Sequence, residues 1–277
     1  MSAPPPLKET ELLTDAELLA NLPARPDPSF AGHVALVTGA GAHGTYLGNG
    51  RAIAMLLAAA GCNVVCIDIS LPAAEMTVAM IQADARAHPG TAYGTALPFK
   101  ADVTSDADCA AAAAFAIEKW GRIDVLVNVV GVIGPPGTAE TLDAGAWAKA
   151  LELNVTAMAQ MAKYALPHLA ANPLPKHMPP TGPVWRGSIV NLGSVAGLRG
   201  GTPSLLYPTA KGAVVNMSRA MAAQHAHQGV RVNCVCPGMV YTPMMFKEGM
   251  SEEMRNTRRD RSLLKTEGDA WDVASAV

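Results

Sequence analysis

The amino-acid sequence predicts a single α/β domain in which helices cover both faces of a parallel sheet. From His33 onward, short apolar segments alternate with helical segments of ten or more residues, which is the pattern of a doubly wound sheet. The chain has 277 residues, of which 50% are hydrophobic and 16% are charged. One large domain with an extensive buried core is therefore expected.

The elements follow one another in a regular order. Short runs rich in Val, Ile, Leu and Ala predict strands at 34–37, 63–67, 96–101, 123–127, 188–192 and 230–235. Longer segments of helical pattern predict helices at 50–60, 73–87, 105–120, 143–170 and 205–227, the first of them ended by Gly61. A further helix is expected to begin near Gly268.

Two segments fall outside this alternation. Residues 1–30 are predicted to be an N-terminal arm, separate from the domain at 31–277, with Thr14 and Glu17 as the capping box of a short helix before a proline-rich linker. Residues 172–186 contain five prolines and are predicted to form a surface excursion.

Composition excludes several classes of partner. The formal net charge is −2 with no long basic run, which argues against nucleic acid and anionic membrane surfaces. No apolar stretch reaches the ~20 residues of a membrane span. The five cysteines lie mostly in apolar segments, and Cys234 and Cys236 lack a nearby Cys/His pair, so we expect free thiols and no metal site. A cytoplasmic protein is the resulting expectation.

A glycine-rich turn, residues 38–50, follows the first strand and allows two registers. A helix that starts near Gly44 would contain Gly48 and Gly50, at a cost of roughly 1 kcal/mol each. A helix that starts at Gly48–Gly50 continues without interruption and is preferred. In both registers, backbone N–H groups can approach a pyrophosphate at the positive end of a helix.

Asp68 ends the second predicted strand, eighteen residues after Gly50. A carboxylate at this place can accept hydrogen bonds from both ribose hydroxyls of an adenosine and would repel a 2′-phosphate. The sequence therefore predicts NAD as the cofactor, with NADP as the alternative.

Tyr207 and Lys211 are four residues apart, and Tyr207 lies thirteen residues after Ser194. On a helix the two side chains share a face, and a fixed cation lowers the pKa of a phenol from its ordinary value of ~10. Such a tyrosine can exchange a proton with an alcohol oxygen; the alternative is an ordinary surface pair. Pro208 is tolerated if this helix begins just before Tyr207, with Ser204 as its cap.

In their order and spacing, these motifs resemble the short-chain dehydrogenase/reductase family from His33 to about Met244. The matching positions are the glycine turn, Asp68, Asp102-Val103-Thr104, Asn128-Val129-Val130-Gly131, Asn154, Ser194, Tyr207, Lys211, Asn233 and Pro237-Gly238. The resemblance implies a Rossmann-like domain that interconverts a secondary alcohol and a ketone by hydride transfer with NAD(H).

The resemblance also implies roles for individual residues. Tyr207 would be the general acid/base, Ser194 would orient the substrate oxygen, and Lys211 would lower the pKa of Tyr207. Asn154 would hold a water that connects Lys211 to solvent, unless it only satisfies a bend in its helix. Asp102 and Val103 would contact the adenine, while Asn128 and Gly131 would line the cofactor cleft. The implied cofactor-binding residues are Gly39, Gly48, Gly50, Asp68, Asp102, Val103, Asn128, Gly131, Tyr207, Lys211, Pro237 and Gly238.

The sequence departs from the family pattern at three places. The glycine turn is five residues longer than the family's Gly-x-x-x-Gly-x-Gly. The family's Asn-Asn-Ala-Gly is replaced by Asn128-Val129-Val130-Gly131. The chain ends at Val277, within the last predicted helix, so we expect a truncated domain whose sheet lacks the family's final strand and has an unpaired edge.

Candidate pocket residues follow the strand ends: Val132, Ile133, Leu198, Arg199, Leu205, Leu206 and the Met-rich segment 239–250. Such a segment suits an adaptable apolar pocket and predicts a hydrophobic secondary alcohol or ketone, with a cyclic one as an option, although ordinary lid packing is the alternative. An NADPH-dependent reductase of ketones or enones and a non-catalytic nucleotide-binding paralogue are the alternative functions. A homodimer or homotetramer is expected, with 150–162 as a contact face.

Overall fold

The computed structural model describes residues 29–174, 185–246 and 249–277. The capping box predicted at Thr14 and Glu17 and most of the proline-rich segment lie outside these residues. The predicted fold class is confirmed, because six parallel strands form one sheet with helices packed against both of its faces.

The strands lie in the order β3-β2-β1-β4-β5-β6. Their bounds are β1 Val34–Thr38, β2 Asn63–Asp68, β3 Ala96–Lys100, β4 Val125–Asn128, β5 Gly187–Leu192 and β6 Val230–Val235. In this register Leu36 of β1 pairs with Val65 on one side and Leu126 on the other. The order reverses between β1 and β4, which opens a crevice at the carboxyl ends of these two strands. Within the described residues, β6 is an edge strand.

Nine α-helices lie in the described part of the chain. They are α1 Asn49–Ala59, α2 Leu71–Ala87, α3 Asp106–Trp120, α4 Ala144–Leu151, α5 Ala157–Ala171, α6 Leu206–His225, α7 Pro243–Phe246, α8 Glu252–Asp260 and α9 Ala270–Ala276. Short 3₁₀ turns occupy Ala139–Thr141, Val195–Gly197 and Ala226–Gln228.

The predicted helix over 143–170 is helical throughout, but a π turn at Glu152–Thr156, which was not predicted, divides it into α4 and α5. The other predicted bounds agree to within about two residues. The strand at 230–235 is reproduced without change.

The core consists of two apolar layers, one on each face of the sheet. Ala35 and Val37 of β1 face the layer formed with α1, α2 and α9. Val34 and Leu36 face the layer formed with α3 and α5. This alternation follows from the two-residue period of a strand, and both layers are apolar because helices cover both faces.

Segment 150–162 packs in the second core layer and does not form an exposed contact surface. Ala157, Met158, Met161 and Ala162 are at most 2% exposed, and Met161 and Ala162 pack against the sheet. Its predicted use as an oligomer face is therefore wrong for these side chains. The oligomeric state stays a prediction.

The expected free cysteines are confirmed, with Cys62, Cys66 and Cys109 buried. In the described parts of the chain, no group of three or more His, Cys, Asp and Glu residues is placed to hold a metal ion. None of the helices there has the length and apolarity needed to cross a bilayer.

Candidate active site

The predicted site residues meet at one edge of the sheet. Asp68 ends β2 and Asn128 ends β4, while Ser194 follows β5 and Pro237 follows β6. Because all strands are parallel, their carboxyl ends share this edge. The glycine turn after β1 lies at the same edge.

Helix α6 brings Tyr207 and Lys211 to this edge. The helix begins at Leu206, and Ser204 Oγ accepts a hydrogen bond from the Tyr207 N–H at 3.4 Å. The N-cap position itself is Leu205, one residue after the predicted Ser204, and Ser204 contributes only this long bond. Pro208 lies in the first turn, where a missing N–H leaves no helical bond unmade.

The Ser194 loop packs directly on α6. A Cβ on Gly197 would lie 2.4 Å from the carbonyl carbon of Lys211, so a side chain at position 197 would push the two segments apart. Ser194 Oγ accepts a hydrogen bond from the Ala196 N–H at 3.1 Å and also contacts the Tyr207 hydroxyl. That Ser194 and Tyr207 act on one substrate oxygen stays a prediction.

Lys211 is buried, with 4% of the residue exposed. Its Nζ donates to the Leu192 carbonyl oxygen at 2.7 Å and lies 6.0 Å from the centre of the Tyr207 ring. Burial lowers the pKa of Lys211 to about 8, because removal of water disfavours the ammonium.

The pKa of Tyr207 shifts in the opposite direction from the one predicted. Burial raises the pKa of Tyr207, and the hydrogen bond with Ser194 offsets only part of this effect. The predicted lowering by Lys211 is wrong in this structure, because burial disfavours the phenolate more strongly than the surrounding groups stabilise it.

Asn154 lies in the π turn between α4 and α5 and is fully buried. Its Nδ2 donates to the Ala150 carbonyl at 2.9 Å, and its Oδ1 accepts from the Val132 N–H at 3.0 Å. Both polar groups of Asn154 thus bond the backbone at the helix irregularity, which is the contact that the alternative interpretation of Asn154 expects. A Cβ on Gly131 would meet both Asn154 Oδ1 and Lys211 Nζ, at 2.9 and 3.2 Å, so these two groups approach the same point. The water relay stays a prediction.

The glycine turn follows the preferred register, since α1 begins at Asn49 with Gly48 as its N-cap. Gly48 provides no side-chain cap, which leaves first-turn N–H groups available to an anion. A Cβ on Gly50 would lie 2.0 Å from the Gly39 carbonyl oxygen. Only glycine at position 50 therefore allows the turn to pack this closely against α1. This cradle fits the phosphates of a dinucleotide.

The two acidic residues of the predicted cofactor site are held by backbone N–H groups. Asp68 accepts from Gly41 at 2.9 Å and from Ser70 at 3.0 Å. Asp102 accepts from the N–H and hydroxyl of Thr104 at 2.9 and 2.7 Å, and these two bonds lower the pKa of Asp102. Both carboxylates are thus held at the side of the crevice where the sequence predicts the adenosine.

At the predicted cofactor site, Val103 and Pro237 are placed to make contacts through their backbone atoms. The Val103 side chain is buried in the second core layer, which leaves only its main chain for the predicted adenine contact. The Pro237 carbonyl accepts from the Val195 N–H at 3.0 Å. Pro237-Gly238 therefore lies against the Ser194 loop.

The Asn128 side chain points into the protein and not into the cleft. It donates to the Met158 carbonyl at 3.2 Å and to Asn191 Oδ1 at 2.9 Å, and Asn191 donates in turn to Ser218 at 3.0 Å. This buried network joins β4 and β5 to α5 and α6. Only the backbone of Asn128 is left to face the predicted cofactor.

Arg51 and Gly197 were missed by sequence reasoning. Arg51 is completely buried in the first turn of α1 and donates to backbone carbonyls of the glycine turn. A cation at the positive end of a helix is unfavourable. The position of Arg51 in the sequence therefore indicates that its guanidinium binds partners outside the helix. Gly197 carried no comparable signal, because its contact with α6 is tertiary.

The sheet order and the groups at its carboxyl edge define the class of dinucleotide-binding oxidoreductases. Residues 44–277 match a family model described as Enoyl-(Acyl carrier protein) reductase. The chain belongs to the short-chain dehydrogenase/reductase family.

Two curated relatives and one solved structure illustrate this membership. The 2-(S)-hydroxypropyl-CoM dehydrogenase 3 of Xanthobacter autotrophicus is 37% identical over 88% of this chain and 87% of the relative. The cis-4-hydroxycyclohexanecarboxylate dehydrogenase of Sinomonas cyclohexanicum is 33% identical over 90% and 89%. A crystal structure from Burkholderia xenovorans, described as that of a short-chain dehydrogenase/reductase, has a TM-score of 0.75 at 35% identity over 89% and 88%.

The chain is thus an oxidoreductase that acts on CH–OH groups and interconverts an alcohol and a ketone. Dehydrogenases of this family use NAD(P), and the glycine turn, the open end of α1 and the acidic residue at the end of β2 fit such a nucleotide.

Replacement of Asn128 by Ala should separate its structural role from cofactor binding. The variant removes the donor to the Met158 carbonyl and leaves the buried Oδ1 of Asn191 without its donor, which should lower the free energy of unfolding by about 1–3 kcal/mol. The dissociation constant for NADH should change less than about twofold. Urea denaturation and fluorescence titration measure both quantities, with the exposed Asn256→Ala as control. Normal stability with a much weaker affinity for NADH would contradict the structural role.

Lys211 should make stability depend on pH in a predictable direction. Below pH 8 the folded and unfolded chains both hold the proton, so the folded chain bears the full cost of a buried ammonium. Between about pH 8 and pH 10.5, the ordinary pKa of a lysine, only the unfolded chain keeps this proton. The free energy of unfolding therefore rises with pH in this range. Relative to Lys211→Met, the wild-type free energy of unfolding should rise by about 2 kcal/mol from pH 7 to pH 9.5.

Urea denaturation at the two pH values measures this difference, with the exposed Lys119→Met as control. A constant difference between wild type and Lys211→Met would show that Lys211 does not titrate in this range.

Proposed function

We propose that the chain is an NAD-dependent dehydrogenase of an apolar, cyclic secondary alcohol. The observation that carries this proposal is the convergence of Ser194, Tyr207 and Lys211 at the sheet edge that also bears Asp68 and the open end of α1. A surface Tyr/Lys pair would have neither the burial nor the neighbouring serine.

The preference for NAD is supported by the charge at the end of β2. Two N–H groups hold the Asp68 carboxylate at this place, where it can accept from ribose hydroxyls and repel a 2′-phosphate. Arg51 is the nearby cation, but its guanidinium already serves backbone carbonyls and Thr77. When bound, the nicotinamide would supply or accept the hydride.

Three side chains would handle the substrate oxygen and its proton. Tyr207 takes the hydroxyl proton during alcohol oxidation and returns it during ketone reduction, while Ser194 holds the same oxygen. Because its pKa is raised, Tyr207 is protonated at neutral pH, as an acid for ketone reduction must be. In the oxidation direction, Tyr207 first passes its own proton to the Lys211 amine, from which the water that Asn154 would position carries it to solvent, and the phenolate then accepts the hydroxyl proton.

The substrate preference is supported by apolar side chains that are exposed beside these groups. Val132, Leu198, Leu205 and Met244 are between 37% and 61% exposed, although each would be expected in a core on composition alone. Exposed apolar groups around a reactive edge are typical of a ligand site. The relative that by name acts on a hydroxycyclohexane carboxylate supports a cyclic substrate.

The cytoplasmic location and the homodimer or homotetramer predicted from the sequence are part of this proposal. They are supported by family membership alone, and the structure of one chain does not test them.

Tyr207→Phe should remove the proton-transfer group and keep the ring. Over a panel of cyclic and linear secondary alcohols and small polyols, kcat with NAD should fall by about 10²–10⁴-fold, while the dissociation constant for NADH stays within about twofold. Tyr93→Phe is the matched control, because its hydroxyl contacts Asp84 away from this edge. Equal activity of Tyr207→Phe and wild type would refute the mechanism, and turnover of polyols without cyclic alcohols would refute the substrate class.

Asp68→Asn should relax the choice of nucleotide. The amide keeps an acceptor for the Gly41 N–H but loses the charge that repels a 2′-phosphate. The ratio of kcat/KM for NAD to that for NADP should fall at least about tenfold, a change of about 1.4 kcal/mol. An unchanged ratio, or a wild-type preference for NADP, would contradict the assignment.

A further inference from the structure

The enlarged glycine turn has an internal support that the family pattern does not require. Arg51 is 0% exposed and directs all of its bonding nitrogens at oxygen atoms. The acceptors are the carbonyls of Ala42 at 3.1 Å, Gly44 at 2.8 Å, Tyr46 at 2.5 Å and Ala73 at 3.4 Å, and Thr77 Oγ1 at 2.9 Å.

These hydrogen bonds from Arg51 fix the backbone conformation of the glycine turn. Three of the acceptors belong to the turn itself, and Thr77 adds a hydrogen bond to the Ala40 carbonyl at 2.7 Å. A guanidinium presents its donors in a rigid plane, so several carbonyls must keep fixed positions at once. A buried cation with these partners is costly to misplace, which gives the turn one defined shape.

The outer side of the glycine turn contacts residues on the other side of the crevice. The ring of Tyr46 lies 5.3 Å from the ring of Phe246 in an edge-to-face contact. Phe246 in turn lies 4.8 Å from Tyr241. These two aromatic residues belong to the segment after Pro237-Gly238, on the substrate side of the site. The turn therefore contacts the phosphate-binding end of α1 with one face and the substrate-side segment with the other.

We propose that the enlarged glycine turn couples nucleotide binding to the position of the substrate-side segment 240–246. Arg51 is the positioning residue for the turn, and Tyr46 is the positioning residue for Phe246. Neither touches a reacting atom. The nucleotide half of this proposal rests on the family's cofactor site, and the substrate half rests on the proposed function.

Coupling of this kind has a reciprocal consequence. If nucleotide favours the turn position that holds Phe246, an alcohol or ketone bound under segment 240–246 must favour nucleotide by the same factor. One edge-to-face aromatic pair corresponds to about a two- to tenfold effect. The nucleotide should therefore protect segment 240–246 as well as segment 40–47 from hydrogen exchange.

The first experiment needs no turnover. Hydrogen exchange of the full chain is measured with and without NADH for wild type, Arg51→Lys and Tyr46→Ala, alongside fluorescence titration of NADH. Arg51→Lys keeps the charge and loses the planar fork, so the dissociation constant should rise about tenfold and segment 40–47 should exchange faster. Arg86→Lys, an arginine near the end of α2, is the control. An unchanged affinity and unchanged exchange in Arg51→Lys would overturn the role of Arg51.

Tyr46→Ala tests the link itself and avoids a buried position, since Tyr46 is 55% exposed. NADH should then protect segment 40–47 but no longer segment 240–246, and the KM for the best alcohol should rise about three- to tenfold with kcat within about twofold. Tyr46→Phe keeps the ring and should behave as wild type.

A double-mutant cycle with Phe246→Ala completes the test. The effects on KM should be non-additive, because both changes remove the same contact. Additive effects, or protection of segment 240–246 that survives Tyr46→Ala, would overturn the link. The exchange data separate this failure from a failure of the proposed function, because they report on the turn even if no alcohol is turned over.

Discussion

The hydrogen bond from the buried Lys211 ammonium to the Leu192 carbonyl holds the site together. Leu192 ends β5 two residues before Ser194, and Lys211 lies one helical turn after Tyr207. A single bond at 2.7 Å therefore sets the distance between the serine loop and the tyrosine. The absence of a side chain at Gly197 allows this close approach of β5 and α6.

Burial changes the order in which Tyr207 and Lys211 lose their protons. In water, a tyrosine and a lysine have similar pKa values, near 10.0 and 10.5. Here burial raises the pKa of Tyr207 and lowers that of Lys211 to about 8. Lys211 becomes the easier proton donor of the pair, which supports a path from the substrate oxygen through Tyr207 and Lys211 toward the point shared with Asn154. The lysine would then carry a proton as well as a charge.

Local patterns in the sequence were sufficient for the framework of the fold. The register of the glycine turn followed from the cost of glycine within a helix, and the strand at 230–235 followed from its alternation. Both features depend on neighbouring residues along the chain. The order of motifs from the glycine turn to Tyr207 was likewise enough to identify the family, because it is a property of the sequence itself.

Most of the features that sequence reasoning missed depend on distant contacts. The π turn at Asn154 is stabilised by the Val132 N–H, 22 residues away in sequence, and no local pattern records that contact. The side chains of Met158 and Met161 were interpreted as a free apolar stripe, but both are buried, and Met161 packs against the sheet. The pKa of Tyr207 depends on the balance of burial against hydrogen bonding, and helical spacing indicates only which charge lies nearby.

The central claim is that the site of Ser194, Tyr207 and Lys211 moves hydride between an alcohol and NAD. The most direct measurement is transfer of deuterium from the carbinol carbon of a deuterated cyclic alcohol to NAD, followed by mass spectrometry of the nucleotide in a single turnover. The account predicts deuterated NADH with wild type and its near absence with Tyr207→Phe, although both proteins bind NADH. Deuterium transfer by Tyr207→Phe at the wild-type rate, or no transfer by a wild-type protein that binds the nucleotide, would contradict it.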